Sequence, residues 1–353
     1  MPDTRRVPPA RVEAVAPTRI DFAGGTIDLW PLFLLHDRPL TVNAAIDQYA
    51  RVKVETVAGS GVEILSADRE AGVQVGGFAE LATRIAGAPG AIEFPLRLAA
   101  HFLAPLADAG RAGGCRVTTD CQAPAGSGLG GSSTLGIALA SALARYTGRN
   151  VEPERLLALT RAIETQVLRI PTGEQDYHPA LHGGVLALHY TVEGTRVERL
   201  AVDAAALRAR TVLVYTGQSR SSGLSNWDML KRHLDGDAGV RESLAAINRA
   251  AHAMRGALLA ADWTAAGEAL GAEWEARKRL SPLVTNTDIE ALIGGARSAG
   301  ALAGKVCGAG GGGCLVFWTS EGRLDEVVRR LTAMGAHVLD FRYVSEGVAV
   351  TET

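Results

Sequence analysis

The chain has 353 residues, 47% hydrophobic and 21% charged, a balance that excludes a disordered segment and allows a core of about two domains. Lysine and arginine number 36 against 38 aspartates and glutamates, so no excess of positive charge advertises a polyanion, and nucleic acid is not an expected partner. No apolar run is long enough to span a bilayer, and the polar start Met1-Pro2-Asp3-Thr4-Arg5-Arg6 lacks the apolar core of a signal peptide, so a cytoplasmic protein without a membrane partner is expected, its oligomeric state left open.

In chain order, Arg51 to Val57 alternates, with Val52, Val54 and Thr56 on one face, the period of a half-buried strand. Gly61 to Ala67 is expected to pair with it through the turn Ala58-Gly59-Ser60. Arg116 to Cys121 reads as a further strand that runs into a glycine-rich stretch. Ser132 to Tyr146 is apolar or small almost throughout, which predicts a helix buried on most sides. Glu152 to Leu168 predicts a second helix with Leu156, Leu159, Ile163 and Val167 in one stripe, ended by Pro171-Thr172-Gly173.

Gly183 to Thr191 and Thr211 to Thr216 read as strands, and helices are predicted over Arg241–Ala261, Trp263–Leu280 and Asp288–Ala299. Cys314 to Trp318 and His337 to Val350 follow as strands, with a helix between them around Leu324 to Met334. Strands first, then helices interleaved with strands, predict an α+β protein of two lobes that meet between Tyr190 and Arg210. There is no internal repeat and no low-complexity segment. Cys115, Cys121, Cys307 and Cys314 form no CxxC pair, so free thiols in or near strands are expected rather than a zinc site.

Pro124-Ala125-Gly126-Ser127-Gly128-Leu129-Gly130-Gly131-Ser132-Ser133 is the most informative stretch, with four glycines in six positions between a strand and the buried helix. Glycine admits positive φ and lets backbone N–H groups approach an anion, and the helix start adds unpaired N–H groups and the positive end of its dipole. By itself the stretch reads as a polyphosphate cradle whose serine hydroxyl can ligate Mg²⁺, or as a flexible turn with a helix cap. It is not a Walker A loop, for no lysine lies in it, nor a Rossmann fingerprint, for no repeated βαβ units surround it.

These ten residues resemble the second motif of the GHMP kinases, the family of galactokinase, homoserine kinase, mevalonate kinase and phosphomevalonate kinase. Ala16-Pro17-Thr18-Arg19-Ile20-Asp21-Phe22-Ala23-Gly24-Gly25-Thr26-Ile27-Asp28-Leu29 resembles the first motif, and Lys305-Val306-Cys307-Gly308-Ala309-Gly310-Gly311-Gly312-Gly313-Cys314 the third. The motifs stand in the family's order across essentially the whole chain. The resemblance implies a two-lobed α+β fold, with an N-terminal ribosomal-protein-S5-domain-2-like lobe over residues 1–205 and a C-terminal ferredoxin-like lobe over residues 206–353. It also implies an ATP- and Mg²⁺-dependent kinase acting on the hydroxyl of a sugar or sugar phosphate.

The resemblance also distributes roles. Pro124, Gly126, Ser127, Gly128, Leu129, Gly130, Gly131, Ser132 and Ser133 would bind the nucleotide. Gly173-Glu174-Gln175-Asp176, followed by Gly183-Gly184, is similar to the segment carrying the family's catalytic aspartate, so Asp176 would accept the proton of the acceptor hydroxyl, with a metal or structural role as the alternative. Glu164 matches the family's magnesium-ligating glutamate and would share the ion with Ser133, whereas the helix alone reads it as one residue of a polar face. Arg19 would depress the pKa of Asp176 or stabilise the transferring phosphoryl group, its alternative being a surface ion pair. Asp28, with Gly24, Gly25, Gln175, Arg220, Gly310 and Gly311, would bind the acceptor. The third motif would otherwise approach the nucleotide or pack against the phosphate loop.

Phe22-Ala23-Gly24-Gly25, the pair Gln175-Asp176 and Tyr215-Thr216-Gly217-Gln218-Ser219-Arg220 are similar to the heptose 7-phosphate kinase branch, which phosphorylates the anomeric hydroxyl of a sugar phosphate. Gly24-Gly25-Thr26-Ile27-Asp28 stands where that branch has Gly-Gly-Gly-Thr-Asp, and Gln175-Asp176-Tyr177-His178 where it has Gln-Asp-Gln-Tyr. Both departures are expected on the acceptor side. A fucokinase-type enzyme or one acting on free hexose is therefore the alternative, distinguished by whether Arg220, Lys231 or Arg232 converge on the acceptor pocket. Ser133, Glu164 and Asp176 together argue against a catalytically silent sugar-binding relative.

Overall fold

Two long strands frame the computed structural model, which describes residues 8–108, 110, 113–217 and 223–353. In β1 (Arg11–Ala23) the first residues alternate, with Val12 and Ala14 inward, but Ala16 to Ala23 are buried without interruption. β2 (Leu40–Val57) is buried from Leu40 to Ile46 and alternates beyond Ala50. Continuous burial of a strand means that both of its faces are covered. β3 (Val62–Ser66), β4 (Ala71–Val75), α1 (Leu81–Arg84), α2 (Gly90–Asp108), β5 (Gly114–Cys121), α3 (Gly131–Tyr146), α4 (Pro153–Leu168), α5 (Tyr177–His182), β6 (Val185–Thr191) and β7 (Gly194–Leu200) follow. Then come α6 (Ala204–Arg208), β8 (Thr211–Tyr215), α7 (Gly223–Leu234), α8 (Ala238–Leu259), α9 (Trp263–Lys278), α10 (Thr287–Ser298), β9 (Ala301–Val306), β10 (Cys314–Thr319), α11 (Leu324–Ala333), β11 (His337–Leu339) and β12 (Ala349–Glu352). Among the described residues no helix is long and apolar enough to cross a membrane.

The first sheet runs β12-β1-β2-β5-β3-β4, with β6 added to β2 and β7 to β6. The strand at Gly61 to Ala67 thus does not pair with β2 as predicted. β5 lies between, antiparallel to β2 and parallel to β3. Alternation identifies a strand and says nothing of its neighbour; a parallel pair needs a crossover, and β4, α1 and α2 supply it. α3 covers one face of this sheet and packs closely, for a Cβ on Gly136 would lie 2.6 Å from Thr160 of α4 and 2.7 Å from Phe94 of α2.

The second sheet is antiparallel in the order β11-β8-β10-β9. His337 to Val350, predicted as one strand, is two strands in two sheets, because the chain crosses back to the first. On the way the Arg342 N–H donates to Asp47 Oδ1 at 2.7 Å, and Gly347 lies so close to Leu181 that a Cβ would stand 2.0 Å from its carbonyl oxygen. Ile20 and Phe22 of β1 share a core with Ala251 and Met254 of α8, Leu270 of α9 and Trp318 of β10. Phe22 meets Trp318 edge-on, ring centroids 5.7 Å apart. This shared core holds the two sheets together around the cleft described next. All four cysteines are free.

Candidate active site

Beyond β5 the glycine stretch turns the chain into α3. Gly126, Gly128 and Gly130 have φ of 67°, 75° and 74°, the region that side chains disfavour. Gly128 has a second reason to be glycine, since a Cβ there would stand 2.1 Å from the Cys307 carbonyl oxygen. Gly130 is the N-cap of α3 and has no side chain to cap it, which leaves the start of the helix open to an anion. The third glycine motif packs on this loop: the Cys314 N–H donates to the Ser127 carbonyl at 2.7 Å. The loop forms one wall of a cleft of about 570 Å³.

Asp176 precedes α5 and lies against that wall; a Cβ on Gly130 would come within 3.1 Å of its Cγ. Its Oδ1 accepts from Arg19 Nε at 2.9 Å and from Arg19 Nη2 at 2.6 Å. The third guanidinium nitrogen, Nη1, donates to the Gly128 carbonyl. Arg19 is only 2% exposed, so it makes no surface ion pair. One buried cation therefore ties β1, the glycine loop and the carboxylate together. Burial works against its charge, and Asp176 and Asp21 outweigh that, leaving its pKa above that of a free arginine.

Glu164 lies on the buried face of α4, 3% exposed, and not on a polar surface. Ser133 Oγ donates to its Oε2 at 2.8 Å, and the Tyr177 hydroxyl donates to the same oxygen. Burial raises its pKa, and the neighbouring hydroxyls pull the other way. Among the described residues no lysine or arginine pairs with it. A buried carboxylate surrounded by hydroxyls, beside a phosphate-type loop and lacking a cation, fits a divalent ion completed by waters and phosphate oxygens. Among the described residues no cluster of three or more His, Cys, Asp or Glu could hold a metal unaided.

Asp28 reaches the same cleft from the first motif. Its Oδ2 accepts the Gln175 N–H at 3.1 Å, and burial raises its pKa to about 6 against the pull of that bond. Gly173 must be glycine there, for a Cβ would fall 1.8 Å from that oxygen. Gln175 lines the cleft. Gly24 and Gly25 do not; they are buried and turn the chain so that Asp28 arrives. A Cβ on Gly24 would stand 2.0 Å from the Leu40 carbonyl, and one on Gly25 2.5 Å from Asp21 Oδ2.

Gly310 lines the cleft, whereas Gly311 faces away and donates its N–H to the Val284 carbonyl at 2.6 Å. Of the loop, Pro124, Gly126, Ser127, Gly128, Gly130, Gly131, Ser132 and Ser133 line it, and Leu129 is buried behind. Arg220 lies outside the described residues. Lys231 and Arg232 do not line the cleft: Lys231 pairs with Asp235, and Arg232 with Asp237 at 2.7 Å.

Behind Gly25 and Thr26 lies a charge network that the sequence reading missed. Asp21, Glu273 and Lys305 are 0% exposed and Arg277 2%. Lys305 Nζ is 3.1 Å from Asp21 and 3.2 Å from Glu273. Arg277 Nε donates to Glu273 at 2.9 Å, Nη2 to the Gly25 carbonyl at 2.9 Å, and Nη1 to Thr26 Oγ1 at 3.0 Å and the Gly308 carbonyl at 3.3 Å. Two cations thus balance two carboxylates and join the first motif to the third. The available signal was the presence of Asp21 and Lys305 inside motifs; Glu273 and Arg277, four apart on α9, resemble an ordinary surface pair.

Two family models match the chain: GHMP kinases N terminal domain over residues 94–184 and GHMP kinases C terminal over residues 254–337. The chain is similar to a D-glycero-alpha-D-manno-heptose 7-phosphate kinase of Campylobacter jejuni, 32% identical over 65% of this chain and 68% of that one. It is 27% identical to a mevalonate kinase of Methanothermobacter thermautotrophicus over 61% of this chain and 67% of the relative. Among solved structures, a D-glycero-D-manno-heptose 1-phosphate kinase from Bacteroides thetaiotaomicron superposes with a TM-score of 0.77 at 25% identity, over 97% of this chain and 99% of that one.

Proposed function

The chain belongs to the GHMP kinase family and is a kinase with an alcohol acceptor, and from that premise we propose that it transfers the γ-phosphoryl group of ATP to the anomeric hydroxyl of a sugar phosphate, a heptose 7-phosphate first among the candidates. The observation that carries this reading is the meeting, in one cleft, of the open glycine loop, the buried Glu164–Ser133 pair and the Asp176 carboxylate held by Arg19. The heptose phosphate kinases among its relatives supply the acceptor class.

In this mechanism the backbone of Pro124 to Ser133 cradles the nucleotide phosphates, and Phe94, Leu135 and Val167 on the same cleft cover the base. Ser133 and Glu164 would hold Mg²⁺. When bound, the ion screens the charge of the donor's phosphates. Asp28, through its carboxylate, and Gln175 orient the sugar. The acceptor oxygen forms a bond to the γ-phosphorus, the bond from phosphorus to the β–γ bridging oxygen breaks, and ADP leaves. Asp176 takes the hydroxyl proton, and the two N–H groups that Arg19 donates to that carboxylate keep it aimed. Residues 1–205 and 206–353 are the two lobes in this reading, the last strand returning to the first.

One observation favours a second reading, an acceptor without phosphate: Lys231 and Arg232 are engaged away from the cleft. A coupled ADP-release assay decides, run over heptose 7-phosphate, free heptose, fucose, galactose and mevalonate. Turnover restricted to sugar phosphates is expected. Turnover of free sugars with none on sugar phosphates would replace the first reading by the second, and turnover of mevalonate alone would sink both.

A further inference from the structure

We propose that Tyr177 is a positioning residue for the metal-binding pair: its hydroxyl fixes the rotation of the Glu164 carboxylate, so that one oxygen stays on Ser133 while the other is directed at the cation. This rests on the assignment of Glu164 and Ser133 made above. Tyr177 is 1% exposed, its ring set in the core of the first sheet with Phe94, Ile163 and Ala180, so the place of its hydroxyl is decided by packing. That hydroxyl and Ser133 Oγ both donate to Glu164 Oε2. Two donors on one oxygen, one anchored on α3 and the other on α5, leave the carboxylate little freedom to turn. Without Tyr177 only the neighbouring hydroxyls of Ser132 and Ser133, both at the start of α3, would be left to orient it, and Ser133 is itself a ligand. The sequence expectation put Tyr177 on the acceptor side; its hydroxyl lies instead against Glu164, to which it donates.

Groups that orient a ligand through a hydrogen bond are typically worth about 10–100-fold in metal affinity. The test titrates Mn²⁺ by electron paramagnetic resonance into the full chain saturated with a non-hydrolysable ATP analogue. Tyr177→Phe keeps the ring and removes the hydroxyl. It should weaken Mn²⁺ binding by about 10-fold or more, while binding of the analogue in EDTA stays unchanged. In a Glu164→Gln background the same substitution should add less than about threefold, since a residue acting through Glu164 has nothing left to orient. A loss caused by poorer folding would persist in that background, so losses that simply add overturn the proposal. Unchanged Mn²⁺ affinity in Tyr177→Phe, with clear loss in Glu164→Gln, overturns it and leaves the site assignment standing. Unchanged affinity in Glu164→Gln removes the site assignment and this proposal with it.

Discussion

Asp176→Asn removes a charge and keeps a shape, which makes it the sharpest probe of the cleft. Proton removal by a positioned base is worth about 10²–10⁴-fold, or about 2.7–5.4 kcal/mol at 1.36 kcal/mol per decade. Against this stands the effect on Arg19, 2% exposed, which loses the negative charge that receives two of its N–H groups. Orphaning a buried ion typically costs about 3–5 kcal/mol. Here the amide oxygen can accept the same two bonds, and Arg19 keeps the Gly128 carbonyl and the nearby Asp21 charge, so the stability loss should be well below that range. The expected result is kcat lower by about 10²–10⁴-fold with saturating substrates, with nucleotide binding retained and a modest drop in melting temperature. ADP release, nucleotide titration and a thermal melt measure the three separately. A kcat within about threefold of the parent would refute the base assignment and leave Arg19 and the loop to act by electrostatics alone.

Gly128→Ala must take a φ of 75° and place a methyl 2.1 Å from the Cys307 oxygen. The conformation alone costs about 1–2 kcal/mol, so the melting temperature should fall together with nucleotide affinity; an unchanged melt would sink the reading of this loop as wedged against the third motif. Gly130→Ala points its methyl at Asp176, 3.1 Å from Cγ, and should lower kcat more than it weakens nucleotide binding, the two being compared in one titration series. For Asp28 the folded pKa is raised from 3.8 to about 6, so the stability tied to its neutral form is complete below pH of about 4 and is lost as pH rises through about 6. Thermal melts from pH 4.5 to 7.5 should therefore decline more in the parent than in Asp28→Asn, and parallel curves would contradict the burial argument. Lys305→Met leaves Arg277 as the one cation shared by Asp21 and Glu273, with Arg19 acting on Asp21 from farther off, and should destabilise by about 3–5 kcal/mol in denaturant titration; a loss below about 1 kcal/mol would mean that the network is dispensable.

Much of this protein can be read along the chain, because much of it is local. The helix at Ser132–Tyr146 and the stripe Leu156, Leu159, Ile163 and Val167 declare themselves within a few turns, since the period of apolar residues depends only on neighbours in sequence. The glycine loop is legible for the same reason: positive φ at Gly126, Gly128 and Gly130 is a property of single residues. The first motif likewise singles out Arg19 and Asp28, and the resemblance outside the three motifs singles out Glu164 and Asp176, all four of which line one cleft. What could not be read is which surfaces meet. The predicted pairing of β2 with β3 gave way to β5 from the far side of a crossover, and the single strand predicted at the C-terminus splits between two sheets. The bond from Arg19 to Asp176 spans 157 positions and that from Arg277 to Gly25 spans 252. Glu164 on α4 looks like a solvated charge until α3 and α5 bring Ser133 and Tyr177 onto it. Periodicity identifies the buried face of an element, but burial is non-directional, so only the assembled fold decides which charges are left facing one another inside it.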